Sequence, residues 1–519
     1  MARAEVADGN YSVVWFKRDL RCHDHTALTE AARSGPILCL YIVEPTLWAQ
    51  VDAARQHYHF MRESLQDLAI SLRERGGDLR VFVGEAVEIL ARIQACARFT
   101  ALFSHEETGN HASYQRDLAV KAWCAAENVT WHEWRQFGVL RGLRNRNDWQ
   151  AGWERHMAQA QQLLPATLQF FTLPVPQLTL PSADQLKLPG HEPRQRQRGG
   201  RRQALRVLHE FLSELSQQYR GGISSPLSAT TACSRLSPYL AFGCLSMREV
   251  VQATHLHIKQ LPASAVQQRR GLENFISRLY WHCHFIQKLE SEPELEWQNL
   301  HRGYDGLREN DWNEGHFQAL TQARTGWPLV DACVTMLHET GWLNFRMRAM
   351  LVSVAGYPLW LHWRPVGEWL AREFLDYEPG IHWSQLQMQS GTTGINTPRI
   401  YNPIKQAQDH DPHGHFVRRW LPAMRRVPDT WLFEPWRMPV SVQQRCGIML
   451  GEQLAEPLVD LSAATRAAKA RLLSRRAQAD VRAGKADIVS KHASRKKTVP
   501  RSTAQNRQAE APTQLRWEL

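Results

Sequence analysis

The 519-residue sequence has no CxxC pair, no stretch of about eighteen uninterrupted apolar residues, and no apolar segment near its N-terminus. The first absence argues against a structural zinc, the second against a membrane helix, the third against a secretory signal. Cysteine is sparse and odd in number. Nine residues are scattered at positions 22, 39, 96, 124, 233, 244, 283, 333 and 446. That pattern fits reduced thiols rather than a disulfide framework, so a cytoplasmic location is expected. A GxGxxG turn is missing after the first strand pattern, so no dinucleotide site is indicated there. What is present is positive charge and tryptophan. Lys plus Arg number 63 against 51 Asp plus Glu, a net charge of +12. Such a surface attracts polyanions, nucleic acid foremost. Twenty tryptophans supply core volume, stacking faces for planar ligands and carriers for electrons.

Length predicts two domains with appendages. Residues 1–140 alternate β-branched runs with helical patterns. The strands expected are Ser12–Phe16, Ile37–Val43, Leu79–Val83, Thr100–Phe103 and Val129–Trp131, with helices over His57–Arg75 and Tyr114–Glu127. Near-continuous apolar strands separated by helices predict a Rossmann-like α/β domain with a parallel sheet. Residues 141–201 read as an interdomain linker, rich in Pro and then in Arg, Gln and Gly. Residues 202–455 read as a large all-α domain, with periodic segments such as Gln203–Gln218 and Gln268–Leu289. Residues 456–519 read as a basic, partly disordered tail that starts with an Ala/Arg-rich helix pattern and becomes low-complexity around Lys491–Arg501.

Five blocks in order carry a family resemblance. They are Val14-Trp15-Phe16-Lys17-Arg18-Asp19-Leu20-Arg21, Ser234-Arg235-Leu236-Ser237-Pro238-Tyr239-Leu240-Ala241, Thr325-Gly326-Trp327-Pro328, Thr340-Gly341-Trp342, and Arg399-Ile400-Tyr401-Asn402-Pro403 with Arg418-Arg419-Trp420-Leu421-Pro422. The chain resembles the photolyase/cryptochrome family over residues 12 to about 436, within a bacterial photolyase-like subgroup. The resemblance implies an α/β antenna domain joined to a helical FAD-binding domain. The iron–sulfur subgroup is set aside, because only Cys446 stands among the four C-terminal cysteines it needs.

The flavin site is carried over residue by residue. Ser234, Leu236 and Ser237 match the segment holding the FAD pyrophosphate, although a Ser-rich helix start suits an N-cap equally. Cys233 stands where the family usually has Thr. Tyr219, Arg278, Trp342, Arg348, Asp376 and Glu378 match positions around the cofactor. Asp376 is expected to accept from the ring's N3–H, with Arg348 offsetting charge on Asp376 and on a reduced flavin. His382 occupies or neighbours the place facing flavin N5, where it would tune the persisting redox state.

Departures matter as much. Trp281 matches the tryptophan that stacks on a flipped pyrimidine pair, but Arg278 stands where the family's best-known class has Glu. Phe345 replaces an Asn, and Phe345 with Ala349 replaces the paired histidines of animal-type (6-4) enzymes. Arg278, Trp281, Arg346, Lys405 and Gln406 are the expected DNA contacts. Of three tryptophans that relay electrons in many members, only Trp363 matches. Leu386 takes the cofactor-proximal place, and the outer place falls near Asn310, two residues before Trp312. Trp360, Trp369 and Trp383 lie nearby and offer either another route or simple core packing. His105, Glu106, Glu107 and Asn110 resemble the region that contacts a folate or deazaflavin antenna, or form a plain polar loop. The histidines at 410, 413 and 415 read as a structural turn, and no metal is expected.

Together these readings imply a monomeric, FAD-dependent, blue-light-driven deoxyribodipyrimidine photolyase, a carbon–carbon lyase that repairs cyclobutane pyrimidine dimers in DNA. Trp363, His382 and Trp281 are its catalytic candidates. The alternative is a cryptochrome-type photoreceptor with little or no repair.

Overall fold

A computed structural model of the chain describes residues 7–8, 10–143, 145–165, 167–175, 179–395 and 398–492. Five parallel strands build the N-terminal sheet: β1 (Ser12–Phe16), β2 (Ile37–Val43), β3 (Leu79–Val83), β4 (Ala101–His105) and β5 (Thr130–Trp134). Their order across the sheet is β3-β2-β1-β4-β5. β1 and β2 are buried along their whole length, because helices cover both faces and leave no solvated side for polar alternation. The helices are α1 (Thr26–Ser34), α2 (Arg55–Arg73), α3 (Ala86–Cys96) and α4 (His111–Ala126). Chain order reverses at β1, so the crevice at the carboxyl ends of β1 and β4 is the sheet's switch point.

Most of the remainder is helical. The elements that matter here are α5 (Val266–Ser291), α6 (Pro328–Thr340), α7 (Phe345–Gly356), α8 (Trp363–Glu373), α9 (Pro379–Ser390) and α10 (Pro403–His410). Their apolar faces meet in two buried clusters, one around Trp327, Met350, Trp363 and Trp383, the other around Phe211, Tyr239, Phe275 and Ile286. The stretch between the domains is folded rather than loose. A helix at Trp149–Ala158 buries Trp149 and Trp153 against the second cluster, and Arg196 grips Glu63 through two bonds of 2.9 Å.

The start of the basic tail is also structured. α11 (Leu461–Arg476) and α12 (Ala479–His492) dock on the helical domain through Ala468, Leu472 and Val481, packed with Tyr304 and Tyr357. Lys491 and His492 both pair with Glu292 at the end of α5. The rest of the low-complexity stretch lies outside the described residues.

The two domains are bolted together by polar contacts. Arg18, just past β1, donates to the carbonyls of Ala241 (2.9 Å) and Tyr377 (3.0 Å). Gly243 presses against this point with φ +64°, and a Cβ there would lie 2.2 Å from the Arg18 carbonyl oxygen. On the facing side His57 Nε2 meets the Phe374 carbonyl at 2.9 Å, and Gln56 donates to the Arg372 carbonyl at 2.6 Å. Residues 372–378 are therefore fixed by the first domain before they reach the second domain's centre.

Candidate functional site

The turn between α8 and α9 carries Asp376. Its carboxylate receives two parallel bonds of 2.9 Å from the Arg348 guanidinium on α7. Arg348 also donates through Nε to the Leu343 carbonyl (2.6 Å) and lies 4.1 Å from the Phe374 ring centre. Burial by itself would raise the Asp376 pKa, but the adjoining guanidinium, helped by Ser237, holds the carboxyl below its usual range.

Across this pair runs Cys233-Ser234-Arg235-Leu236-Ser237. Arg235 adopts φ +55°, rare for a residue with a side chain, and its guanidinium sits 3.9 Å above the Trp342 ring. Gln197 pins this shape by donating to the Arg235 carbonyl and accepting from its Nε. Burial pushes Arg235 down to about 10 and the Cys233 thiol up to about 12. Tyr219, buried against Phe211 and Phe275, lies beside Arg278 and Cys233, and burial raises its pKa. Arg235 and Arg348 thus face one carboxylate between them. A cluster with this excess of positive charge is matched by a ligand bearing phosphates and an electron-rich ring edge. Sequence reasoning passed over Arg235; its left-handed backbone and its contact with a tryptophan more than a hundred positions away are visible only in three dimensions.

His382, at the start of α9, is buried, and its Nε2 lies 2.8 Å from the Gly367 carbonyl. That bond requires the proton on Nε2, while burial lowers the ring's pKa to about 4. The neutral ring therefore presents Nδ1 as an acceptor, not as a donor. Trp383 follows it in edge-to-face contact with Trp363, ring centres 6.0 Å apart. Gly367 makes room for this: a Cβ there would fall 2.5 Å from both Trp383 and Leu386.

Glu378 stands apart from the cluster. It is buried at the domain junction, Oε2 lying 3.4 Å from Arg18, while Oε1 has no hydrogen-bond partner. Desolvation raises its pKa to about 7. Arg278 and Trp281 share one face of α5, where Trp281 touches His284 and Phe285. Arg346 stands near the start of α7, and Lys405 and Gln406 stand in the first turn of α10. Arg346 Nε and Gln406 Oε1 are buried without partners, while exposed Lys405 pairs with Asp409 at 2.8 Å. His410 joins this group: burial first, then the nearby Arg346 charge, lowers its pKa.

The expected antenna residues divide. His105 is interior: its Nδ1 lies 2.8 Å from Asp19 Oδ2, which also stands 2.9 Å from His25 Nε2. These three could in principle surround a cation, since their ligand atoms lie within 4.8 Å of one another. However, His25 Nδ1 accepts from the Leu28 N–H to cap α1, so its proton resides on Nε2, facing Asp19. Within the triad the His105–Asp19 contact is a hydrogen bond, and His25 Nε2 stands beside the same carboxylate oxygen at 2.9 Å. Glu107 pairs with Arg116, and the Glu106 N–H donates to the Trp134 carbonyl (2.8 Å). Asn110 caps α4 and donates to Asp52, which also accepts from the Tyr377 hydroxyl at 2.7 Å. The neighbouring His111 N–H donates to Glu296, whose pKa burial raises to about 7, and its ring meets Trp297 at 4.9 Å. Asp52, Glu296 and Trp297 therefore gather around Asn110 and His111 at the domain junction, a grouping that no sequence spacing announces.

Residues 12–139 match the family model described as DNA photolyase, and residues 275–474 the FAD binding domain of DNA photolyase. The chain is 28% identical over 476 residues to Cryptochrome DASH of Gloeobacter violaceus, covering 86% of this chain and 93% of that one. It is 25% identical over 471 residues to the deoxyribodipyrimidine photo-lyase of Alkalihalophilus pseudofirmus, covering 86% and 95%. A bacterial class III photolyase structure from Agrobacterium tumefaciens superposes with a TM-score of 0.77 at 23% identity, over 92% of this chain and 99% of that one. That likeness concerns the fold. The cation-rich cluster falls within or beside the matched FAD-binding region and suits FAD, the cofactor of that domain.

Proposed function

We propose that this chain, which belongs to the photolyase/cryptochrome family, is a blue-light-driven photolyase that splits cyclobutane pyrimidine dimers in DNA. The observation that carries this reading is the Arg348–Asp376 pair facing Arg235 and Trp342 in a buried, positively charged setting. When bound, FAD supplies the light absorption and the one-electron chemistry. The chain's own residues do the rest. Asp376 accepts from the ring's N–H edge, and Arg348 keeps that carboxylate ionised and offsets negative charge beside it. Arg235, Ser234 and Ser237 meet the phosphates. His382 offers a neutral acceptor nitrogen. Trp281 provides a stacking face for a base turned out of the duplex, and Arg278 donates to base carbonyls or to phosphate. Arg346, Lys405 and Gln406 meet the DNA backbone. Asn110, with Asp52, Glu296 and Trp297, takes a folate-like or deazaflavin antenna.

A second reading, a photoreceptor with little repair, is favoured by one specific feature. Arg278, Phe345 and Ala349 put neither a carboxylate nor a histidine at these three positions to accept from a base or hand it a proton. The deciding experiment illuminates the reduced, FAD-loaded protein with a dimer-containing oligonucleotide and counts dimers. Loss of dimers supports repair. Unchanged dimers despite binding and complete reduction leave the photoreceptor reading.

A further inference from the structure

Resting on the flavin-binding reading above, we propose that Gln197, in the segment between the two domains, is a positioning residue for the FAD phosphates, its side-chain amide holding Arg235 in the shape that meets them. The amide engages Arg235 twice. Gln197 Nε2 donates to the Arg235 carbonyl at 2.9 Å, and Gln197 Oε1 accepts from Arg235 Nε at 3.2 Å. One planar group therefore fixes both the backbone and the guanidinium of a single residue. A primary amide supplies a donor and an acceptor side by side. A carboxylate in its place could take the Nε–H but would confront the carbonyl with a second acceptor.

The hold matters because of the backbone at this point. Arg235 has φ +55°, a left-handed conformation that residues with a side chain avoid. Leu236, next along the chain, has φ −88° and ψ −11°, on the right-handed side. Successive residues of opposite hand turn their N–H groups inward and form a concavity that suits an anion. A trans peptide points its C=O and N–H in opposite directions. Binding the Arg235 carbonyl on the Gln197 side therefore turns the Leu236 N–H away from Gln197. The same turn reaches the polar edge of the site, since Arg235 lies 3.9 Å above the Trp342 ring and Ser237 bonds Asp376.

Gln197 is itself anchored to the first domain. Its neighbour Arg196 donates twice to Glu63 on α2, at 2.9 Å each, and also to the Gln197 carbonyl at 2.9 Å. Glu63 accepts as well from the Gly199 N–H at 2.7 Å, and the Ser64 hydroxyl accepts from the Gly200 N–H at 3.0 Å. A Cβ on Gly199 would lie 2.2 Å from the Phe60 carbonyl oxygen, so the chain presses directly on α2 here. With residues 196 and 199 both fixed to α2, the amide of Gln197 carries the position of that helix to the turn at Arg235.

The test follows FAD release from the full-length, FAD-loaded protein after dilution, read as recovery of free-flavin fluorescence, together with the phosphorus NMR signals of the bound cofactor. Gln197→Ala should release FAD roughly tenfold faster, as for the loss of one or two hydrogen bonds. Its phosphorus signals should shift while the flavin absorption band stays as in the wild type. Gln197→Met keeps the volume but neither bond and should match the alanine variant, which covers the case in which alanine fails to fold. Gln197→Glu separates positioning from packing. It is nearly isosteric, so a side chain that merely packs the segment predicts wild-type behaviour. Positioning predicts the fastest release of the three, because the carboxylate loses the bond to the carbonyl and draws the Arg235 charge away from the phosphates. A glutamate variant like the wild type, or alanine and methionine variants with wild-type release and phosphorus signals, overturns the role of Gln197 alone. A wild-type protein that takes up no FAD overturns the flavin reading with it.

Discussion

Arg348 and Asp376, 28 residues apart on α7 and on the turn before α9, meet through two parallel bonds of 2.9 Å, the guanidinium partly exposed and the carboxylate almost fully enclosed. The pair is rigid because each partner is tied elsewhere. Arg348 is held by the Leu343 carbonyl, and the Asp376 turn is gripped by the first domain through Arg18 and Asp52. Cofactor recognition and domain docking thus share one short segment.

Asp376→Asn should therefore cost both stability and cofactor. Removing one partner of a buried ion pair leaves an uncompensated charge, and a loss of about 3 kcal/mol in chemical denaturation is expected. FAD affinity should fall by roughly tenfold to a hundredfold, as for a lost bond to a charged group. Isothermal titration of FAD into apo-protein checks the second point, urea melts the first.

Acid should weaken the fold through its buried histidines. His382 has a folded pKa of about 4 against an unfolded value near 6.5, so the unfolded chain binds the proton more readily. The stability it contributes is complete above about pH 6.5 and is lost as pH falls toward 4, up to about 3 kcal/mol. His282 and His156, each pushed to about 4 chiefly by burial, add to the same window. Thermal melts at pH 7, 6, 5 and 4 should fall steeply below 6.5, and His382→Asn should reduce the slope. A flat profile would contradict this.

Gly367→Ala should disturb the tryptophan pair. The added Cβ would meet Trp383 and Leu386 at 2.5 Å, so α9 must shift. Overpacking of this kind costs about 1–3 kcal/mol. Photoreduction of bound FAD should slow more than FAD binding weakens, which separates relay damage from pocket damage.

Arg278→Ala should weaken DNA binding and lower the slope of log affinity against log salt by about one, as expected for the loss of one phosphate contact. An unchanged slope with lower affinity would place Arg278 on a base instead. Fluorescence anisotropy at several salt concentrations distinguishes the two.

Much of the fold was legible in the sequence. Continuous apolar runs at residues 12–16 and 37–43 can be satisfied only by strands buried on both faces, and such strands form there. The helical domain followed from periodicity. What stayed hidden depends on long-range contact. His105 sits at a strand end where ligands commonly bind, yet Asp19 draws its ring into the interior. Glu378 reads as a cofactor residue beside Asp376, but two positions along the turn its side chain points toward Arg18. Residues 461–492 read as the helical start of a basic tail, and a few apolar side chains, among them Leu472 and Val481, find Tyr304 and Tyr357 and dock both helices. Trp383 meets Trp363 from one helical turn before Leu386, a contact that pattern reading leaves open.

The central claim is that the helical half encloses FAD against Arg348 and Asp376. The most direct measurement is the flavin-to-protein ratio, by absorbance and by released-flavin fluorescence, for the wild type and for Arg348→Ala and Asp376→Ala reconstituted with excess FAD and desalted. The account predicts a stoichiometric yellow wild type and near-colourless variants that retain helical circular dichroism. A colourless wild type, or variants that hold flavin as well as it does, would contradict it.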